Sequence, residues 1–208
     1  MDFINIIVFG DSIAYGLADI EFGGWVNRLR IYLDSHEEKV LNVFNLSISG
    51  ETTVETLSRF KSEFSVRYDK DKKTILVFAV GINDTQDING RYRVSTEQFI
   101  FNIEVLIKEA KKFTNNILFV GLTKVDESKV VPVFWNNNKC YFNDKIIRFD
   151  NLIETICTKE KILYLKVYNK ITLNDLLDGL HPNNIGHQKL CDAVLNKIIK
   201  IINNDSIM

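Results

Sequence analysis

Asp178 stands three residues before His181 in Asp178-Gly179-Leu180-His181-Pro182, near the end of a chain of 208 residues. A carboxylate at that spacing on a turn can bind one imidazole nitrogen, fixing the tautomer and leaving the other nitrogen free to take a proton. His181 is therefore a candidate general base. Ser12 is a candidate source of that proton. It lies in Gly10-Asp11-Ser12, directly after the apolar run Ile4 to Phe9, where a buried strand would hand the chain to a turn. An early hydroxyl, a late imidazole and a carboxylate beside the imidazole are the parts of acyl transfer through a serine nucleophile.

Such chemistry also needs donors aimed at the oxygen that becomes negative in the tetrahedral intermediate. Gly50 follows Leu46-Ser47-Ile48-Ser49 at the end of an apolar segment, and a residue without Cβ lets its N–H approach a ligand closely. Asn83, in Gly81-Ile82-Asn83-Asp84, follows the strand-like run Thr74 to Val80. Its amide donates without changing protonation state.

These residues must be positioned by the elements around them. Apolar, β-branched runs at Ile4 to Phe9, Val40 to Leu46, Thr74 to Val80, Ile117 to Leu122 and Ile162 to Val167 have the length and continuity of strands buried on both faces. Helical spacing marks Gly24 to Leu33, Thr53 to Phe64, Thr96 to Phe113, Asn143 to Cys157 and Asn184 to Ile202. In the third of these, Phe99, Ile103, Leu106, Ile107 and Ala110 form one apolar face opposite Glu104, Lys108 and Lys111. Alternating strand and helix predicts an α/β protein, a three-layer α/β/α sandwich with a five-stranded parallel sheet and ligands at the carboxyl ends of its strands.

In Phe9-Gly10-Asp11-Ser12, Ser49-Gly50, Gly81-Ile82-Asn83-Asp84 and Asp178-Gly179-Leu180-His181-Pro182-Asn183 the sequence resembles the SGNH hydrolases, the GDSL-type esterases and lipases. Each block alone is weak. All four in order, over nearly the whole chain, are specific. The resemblance implies a flavodoxin-like fold and an ester-cleaving activity. It assigns Ser12 as nucleophile, His181 as base, Asp178 as its partner, and the N–H groups of Ser12 and Gly50 with the Asn83 amide as oxyanion donors. No cofactor is implied. Ile13 replaces the leucine of the family's name, at a position read as packing.

The composition narrows the remaining possibilities. With 46% apolar residues, the chain is expected to form one domain, 1–208, with a sizeable core. A formal net charge of -1 with scattered lysines gives no reason to expect nucleic acid. Cys140, Cys157 and Cys191 form no C-x-x-C pair, so no disulfide framework or zinc cluster is expected. Asp178 and His181 lack further ligands at metal spacing, and no metal is expected. With no basic leader and no membrane-spanning run, the protein is expected to be soluble and cytoplasmic. Oligomeric state is not read from the sequence.

Several residues carry competing readings. Ser12 could cap the following helix. Asp11 could be a cap or could bind the loop after Gly50, and Asp84 reads as structural. His187 is a second candidate base, but Asn184 stands where an acid would be needed. His36 reads as a solvated loop histidine. The long irregular stretch Thr123 to Phe142 carries Phe134, Trp135 and Tyr141, and is expected to wall a substrate site, with Phe134 and Trp135 as substrate-binding residues. The alternative there is a surface excursion with Trp135 packed on the core. With no second domain for a lid, acyl groups from acetyl to hexanoyl are expected to be preferred.

The rival from another class is a non-catalytic doubly wound module binding a small ligand such as a nucleotide. The chain has neither Gly-x-Gly-x-x-Gly nor Gly-x-x-x-x-Gly-Lys, and Asp11 sits where a phosphate loop would avoid negative charge. The α/β-hydrolase fold expects Gly-x-Ser-x-Gly, whereas Ala14 takes the last place here.

Overall fold

In β1, Phe3–Gly10, every residue after Phe3 is buried, as in a central strand covered on both faces. The computed structural model describes residues 3–36 and 40–203. After β1 come α1 (Ser12–Tyr15), α2 (Trp25–His36), β2 (Val40–Asn45), α3 (Thr53–Ser65), β3 (Lys73–Ala79), β4 (Asp87–Ile88), β5 (Arg91–Tyr92) and α4 (Thr96–Ala110). The second half adds β6 (Ile117–Val120), α5 (Glu127–Val130), β7 (Lys139–Cys140), α6 (Asn143–Lys159), β8 (Leu163–Leu165) and α7 (Asn184–Asn203). The side chain of His36 lies outside the described residues.

Among the described residues the main sheet has five strands in the order β2-β1-β3-β6-β8, all parallel. β1 pairs with β2 from Phe3↔Val40 to Val8↔Asn45, and with β3 from Ile4↔Lys73 to Gly10↔Ala79. The chain steps from β1 to β2 on one side and returns to β3 on the other. The carboxyl ends of β1 and β3 therefore flank a topological switch point, where open α/β sheets bind ligands. Helices α2 and α7 pack together on one face, and α3, α4 and α6 on the other. Phe9, Phe60, Phe64, Phe78 and Phe119 interlock in the core beside β1 and β3, with ring centroids 4.9 to 6.0 Å apart. The expected three-layer sandwich is present.

Local chemistry sets the helix starts. Thr52 and Glu55 form a capping box at α3, and the Ser95 side chain caps α4. Asp11, not Ser12, caps α1 by accepting from the Ile13 N–H at 3.0 Å.

Some expected extents change. β8 is only Leu163–Leu165, and β6 stops at Val120 before Gly121, whose N–H turns to Leu165 O. The 123–142 stretch is less irregular than expected. It contains α5 and β7, and β7 joins a second sheet of order β5-β4-β7. Strands of two residues show no alternation that a sequence could reveal.

Candidate active site

Ser12 Oγ and His181 Nε2 are 3.0 Å apart across 169 residues of sequence, and both residues are 5% exposed. His181 Nδ1 lies 2.7 Å from Asp178 Oδ2. The Nδ1–H therefore donates to the carboxylate, and Nε2 faces the serine hydroxyl as an acceptor. A tight loop holds this pair. Leu177 N donates to His181 O, Leu176 bridges Pro182, and Asp178 Oδ1 accepts from the N–H groups of Leu180 and His181. Gly179 has φ +93°, and a Cβ there would sit 2.7 Å from Lys129 Cβ, so glycine is required on both counts. Burial raises the Asp178 carboxyl, but the hydrogen bonds from the His181 ring and the backbone outweigh it and hold Asp178 down to about 2.

The loops after β2 and β3 meet beside Ser12. Gly50 has φ +81°, a turn conformation that glycine adopts without strain, with open space where a Cβ would go. Its carbonyl accepts from Arg93 Nη1 at 2.9 Å. The next residue, Glu51, is clamped by Arg59 through two bonds of 2.6 Å, and Arg59 also donates to Leu46 O. Asn83 opens a turn of 3₁₀ helix at Asn83–Thr85, and its Nδ2 donates to Glu51 O at 2.9 Å. Ser12, Gly50 and Asn83 thus follow three adjacent strands at one edge of the sheet.

Two buried carboxyls lie beneath these residues. Burial pushes Asp11 up to about 7, against the pull of the Ile13 N–H and of His181. Burial likewise pushes Asp84 up to about 7, although it accepts from the N–H and hydroxyl of Thr53 and so anchors the start of α3. His187, the second candidate base, is fully buried in a structural role. Its Nδ1 accepts from Trp25 N at 3.2 Å and its Nε2 donates to Leu17 O at 3.0 Å. The structure does not bring it to Ser12.

Trp135 is 45% exposed and lies beside the His181 ring, while Phe134 is 75% exposed and meets Trp135 edge to face. Trp135 is at the rim rather than in the core. Sequence reasoning missed Tyr141 and Gln86, whose side chains extend the hydrogen bonds of Asn83. It also missed Glu51, Arg59 and Arg93. None stands in a recognisable block: Tyr141, Gln86 and Arg93 act through partners distant in sequence, and Glu51 and Arg59 are ordinary charges until they pair.

The chain matches the GDSL-like Lipase/Acylhydrolase family over residues 8–189. No curated protein matches it in sequence. Among solved structures it is similar to Axe2, an acetylxylan esterase from Geobacillus stearothermophilus, at 18% identity and a TM-score of 0.73, with 93% of each chain covered. It is also similar to LAE5, an alpha/beta hydrolase enzyme from the metagenome of Lake Arreo, Spain, at 18% identity and a TM-score of 0.72, with 93% of this chain and 94% of that one covered. At these identities the likeness concerns the fold, which agrees with the sheet order and layers described above. With the family match spanning all four sequence blocks, the chain belongs to the GDSL-like Lipase/Acylhydrolase family and is an ester-cleaving hydrolase.

Proposed function

We propose that the chain, acting as one catalytic domain, cleaves carboxylic esters of short acyl groups through an acyl-enzyme on Ser12. The observation that carries this reading is the unbroken hydrogen-bonded series Ser12, His181, Asp178. Ser12 Oγ attacks the ester carbonyl as its proton passes to His181 Nε2, and Asp178 stabilises the imidazolium. The oxyanion is held by the N–H groups of Ser12 and Gly50 and by the Asn83 amide. Collapse expels the alcohol, which takes the proton from His181. Water then attacks the acyl-enzyme by the same steps in reverse and releases the acid.

The leaving alcohol must lie on the side of His181, because that imidazole protonates it. Trp135 flanks the same imidazole, so Trp135 and Phe134 line the alcohol side and leave the acyl side to a shallow recess. An exposed indole suits the apolar face of a sugar ring. Axe2, similar in fold, is an acetylxylan esterase, which favours an O-acetylated carbohydrate as substrate class. A panel of nitrophenyl esters of increasing acyl length, with acetylated xylose and acyl thioesters beside it, tests this reading. The expected optimum is acetyl, with activity on the acetylated sugar. Specificity that keeps rising beyond decanoyl would refute the shallow recess.

A further inference from the structure

We propose that Tyr141, held in turn by Gln86, is a positioning residue that aims the Asn83 amide at the developing oxyanion. The inference rests on Asn83 being an oxyanion donor, as assigned above. Asn83 has one side-chain atom 2.9 Å from Glu51 O and the other 2.8 Å from the Tyr141 hydroxyl. A backbone carbonyl only accepts, so the atom facing Glu51 is Nδ2 and the atom facing Tyr141 is Oδ1. The Tyr141 hydroxyl must then donate to Oδ1, and its lone pair receives Gln86 Nε2–H at 2.9 Å. The direction of the series is set from the Glu51 end, where the carbonyl can only accept. Nδ2 spends one hydrogen on Glu51 and keeps the second for the substrate.

Without the tyrosine hydroxyl, the Asn83 amide would be held from one side only, and its oxygen would be buried without that partner. Asn83, Gln86 and Tyr141 are all buried, and there a hydrogen bond orients more strongly than it would in water. Burial, with Asp11 nearby, also raises the Tyr141 phenol, which keeps it a donor.

The backbone explains how two such distant residues meet. β4 and β7 are antiparallel, with Ile88↔Lys139 and Asp87↔Cys140 opposed. Gln86 and Tyr141 flank the Asp87↔Cys140 pair at that end of the ladder, and their side chains meet there. The small sheet, too short for a core of its own, thereby joins the 123–142 segment to the oxyanion donor.

The test is a double-mutant cycle on nitrophenyl acetate hydrolysis, with thermal melts to verify folding. Tyr141→Phe is expected to lower kcat about tenfold and leave KM within about twofold. In an Asn83→Ala background the same change is expected to lower kcat no further. An equal loss in both backgrounds would show a merely structural role and overturn the inference. So would an unchanged kcat in Tyr141→Phe when Asn83→Ala alone loses about 10²-fold or more. If Asn83→Ala itself retained activity, the oxyanion assignment would fall and the positioning role with it. Should Tyr141→Phe not fold, Gln86→Met takes its place. A loss of a few fold is expected, vanishing in the Asn83→Ala background, and an equal loss in both backgrounds would again overturn the inference.

Discussion

The indole of Trp135 and the imidazole of His181 lie side by side, with ring centroids 6.1 Å apart and planes inclined by 33°. On the proposed mechanism His181 protonates the leaving alcohol, and the exposed ring beside it then belongs to the alcohol's binding surface. Trp135→Ala should therefore raise KM for an acetylated sugar by up to about tenfold, the worth of an aromatic contact. Nitrophenyl acetate should lose much less. If kcat fell equally for both substrates with KM unchanged, Trp135 would be acting on His181 instead.

Asp178 holds His181 in the tautomer that leaves Nε2 open toward Ser12. Asp178→Asn should lower kcat on the order of 10²-fold or more, because an amide in that place favours the wrong tautomer. An effect below tenfold in steady-state kinetics would mean that the loop backbone alone orients the ring.

Asp11 is expected to leave a signature in the pH dependence of stability. Its folded value, about 7, is raised by burial above the ordinary carboxylate range, with His181 opposing the rise and Glu51 adding to it. Between those values the native chain keeps a proton that the unfolded chain has lost. Its contribution is full at low pH and fades as pH rises through 7. Asp11→Asn can still accept from the Ile13 N–H but has no charge to gain. The variant should gain stability relative to wild type as pH is raised from 5 to 8, read from urea midpoints. Parallel curves for the two proteins would contradict this. Asp84, also near 7 chiefly through burial, is raised further by the Asp11 charge, so its share of the slope is smaller in the variant.

His187 bridges Trp25 N and Leu17 O within the protein interior. His187→Ala leaves both backbone groups without that partner and should destabilise by about 1 to 3 kcal/mol. The kcat of the folded fraction should change little. A loss of kcat matching that of His181→Ala would reverse the assignment of the base.

The central strands were legible because β1 and β3 are continuous apolar runs buried on both faces, a pattern that long strands share with few alternatives. The four sequence blocks were legible because each ends a strand or opens the last helix. The supports of the site were not. Tyr141 looks like any loop aromatic until β4 and β7 pair, and Gln86 has no signal at all. Arg59 and Glu51 are ordinary charges in sequence and become a clamp only when the loop after β2 folds against α3. The pairings of Tyr141 with Asn83 and Gln86, remote in sequence, leave no local trace. His187 shows the converse, a histidine near His181 in sequence that folding turns into the core.

Covalent capture of Ser12 tests the account most directly. Wild-type protein treated with a fluorophosphonate should gain a single adduct by intact mass, mapped by peptide sequencing to Ser12, and should lose its esterase activity in parallel. Ser12→Ala should take no adduct and should hydrolyse nitrophenyl acetate about a thousandfold or more slowly, while melting near the wild-type temperature. An adduct on another residue, or Ser12→Ala turnover within tenfold of wild type, would contradict the assignment of Ser12 as nucleophile.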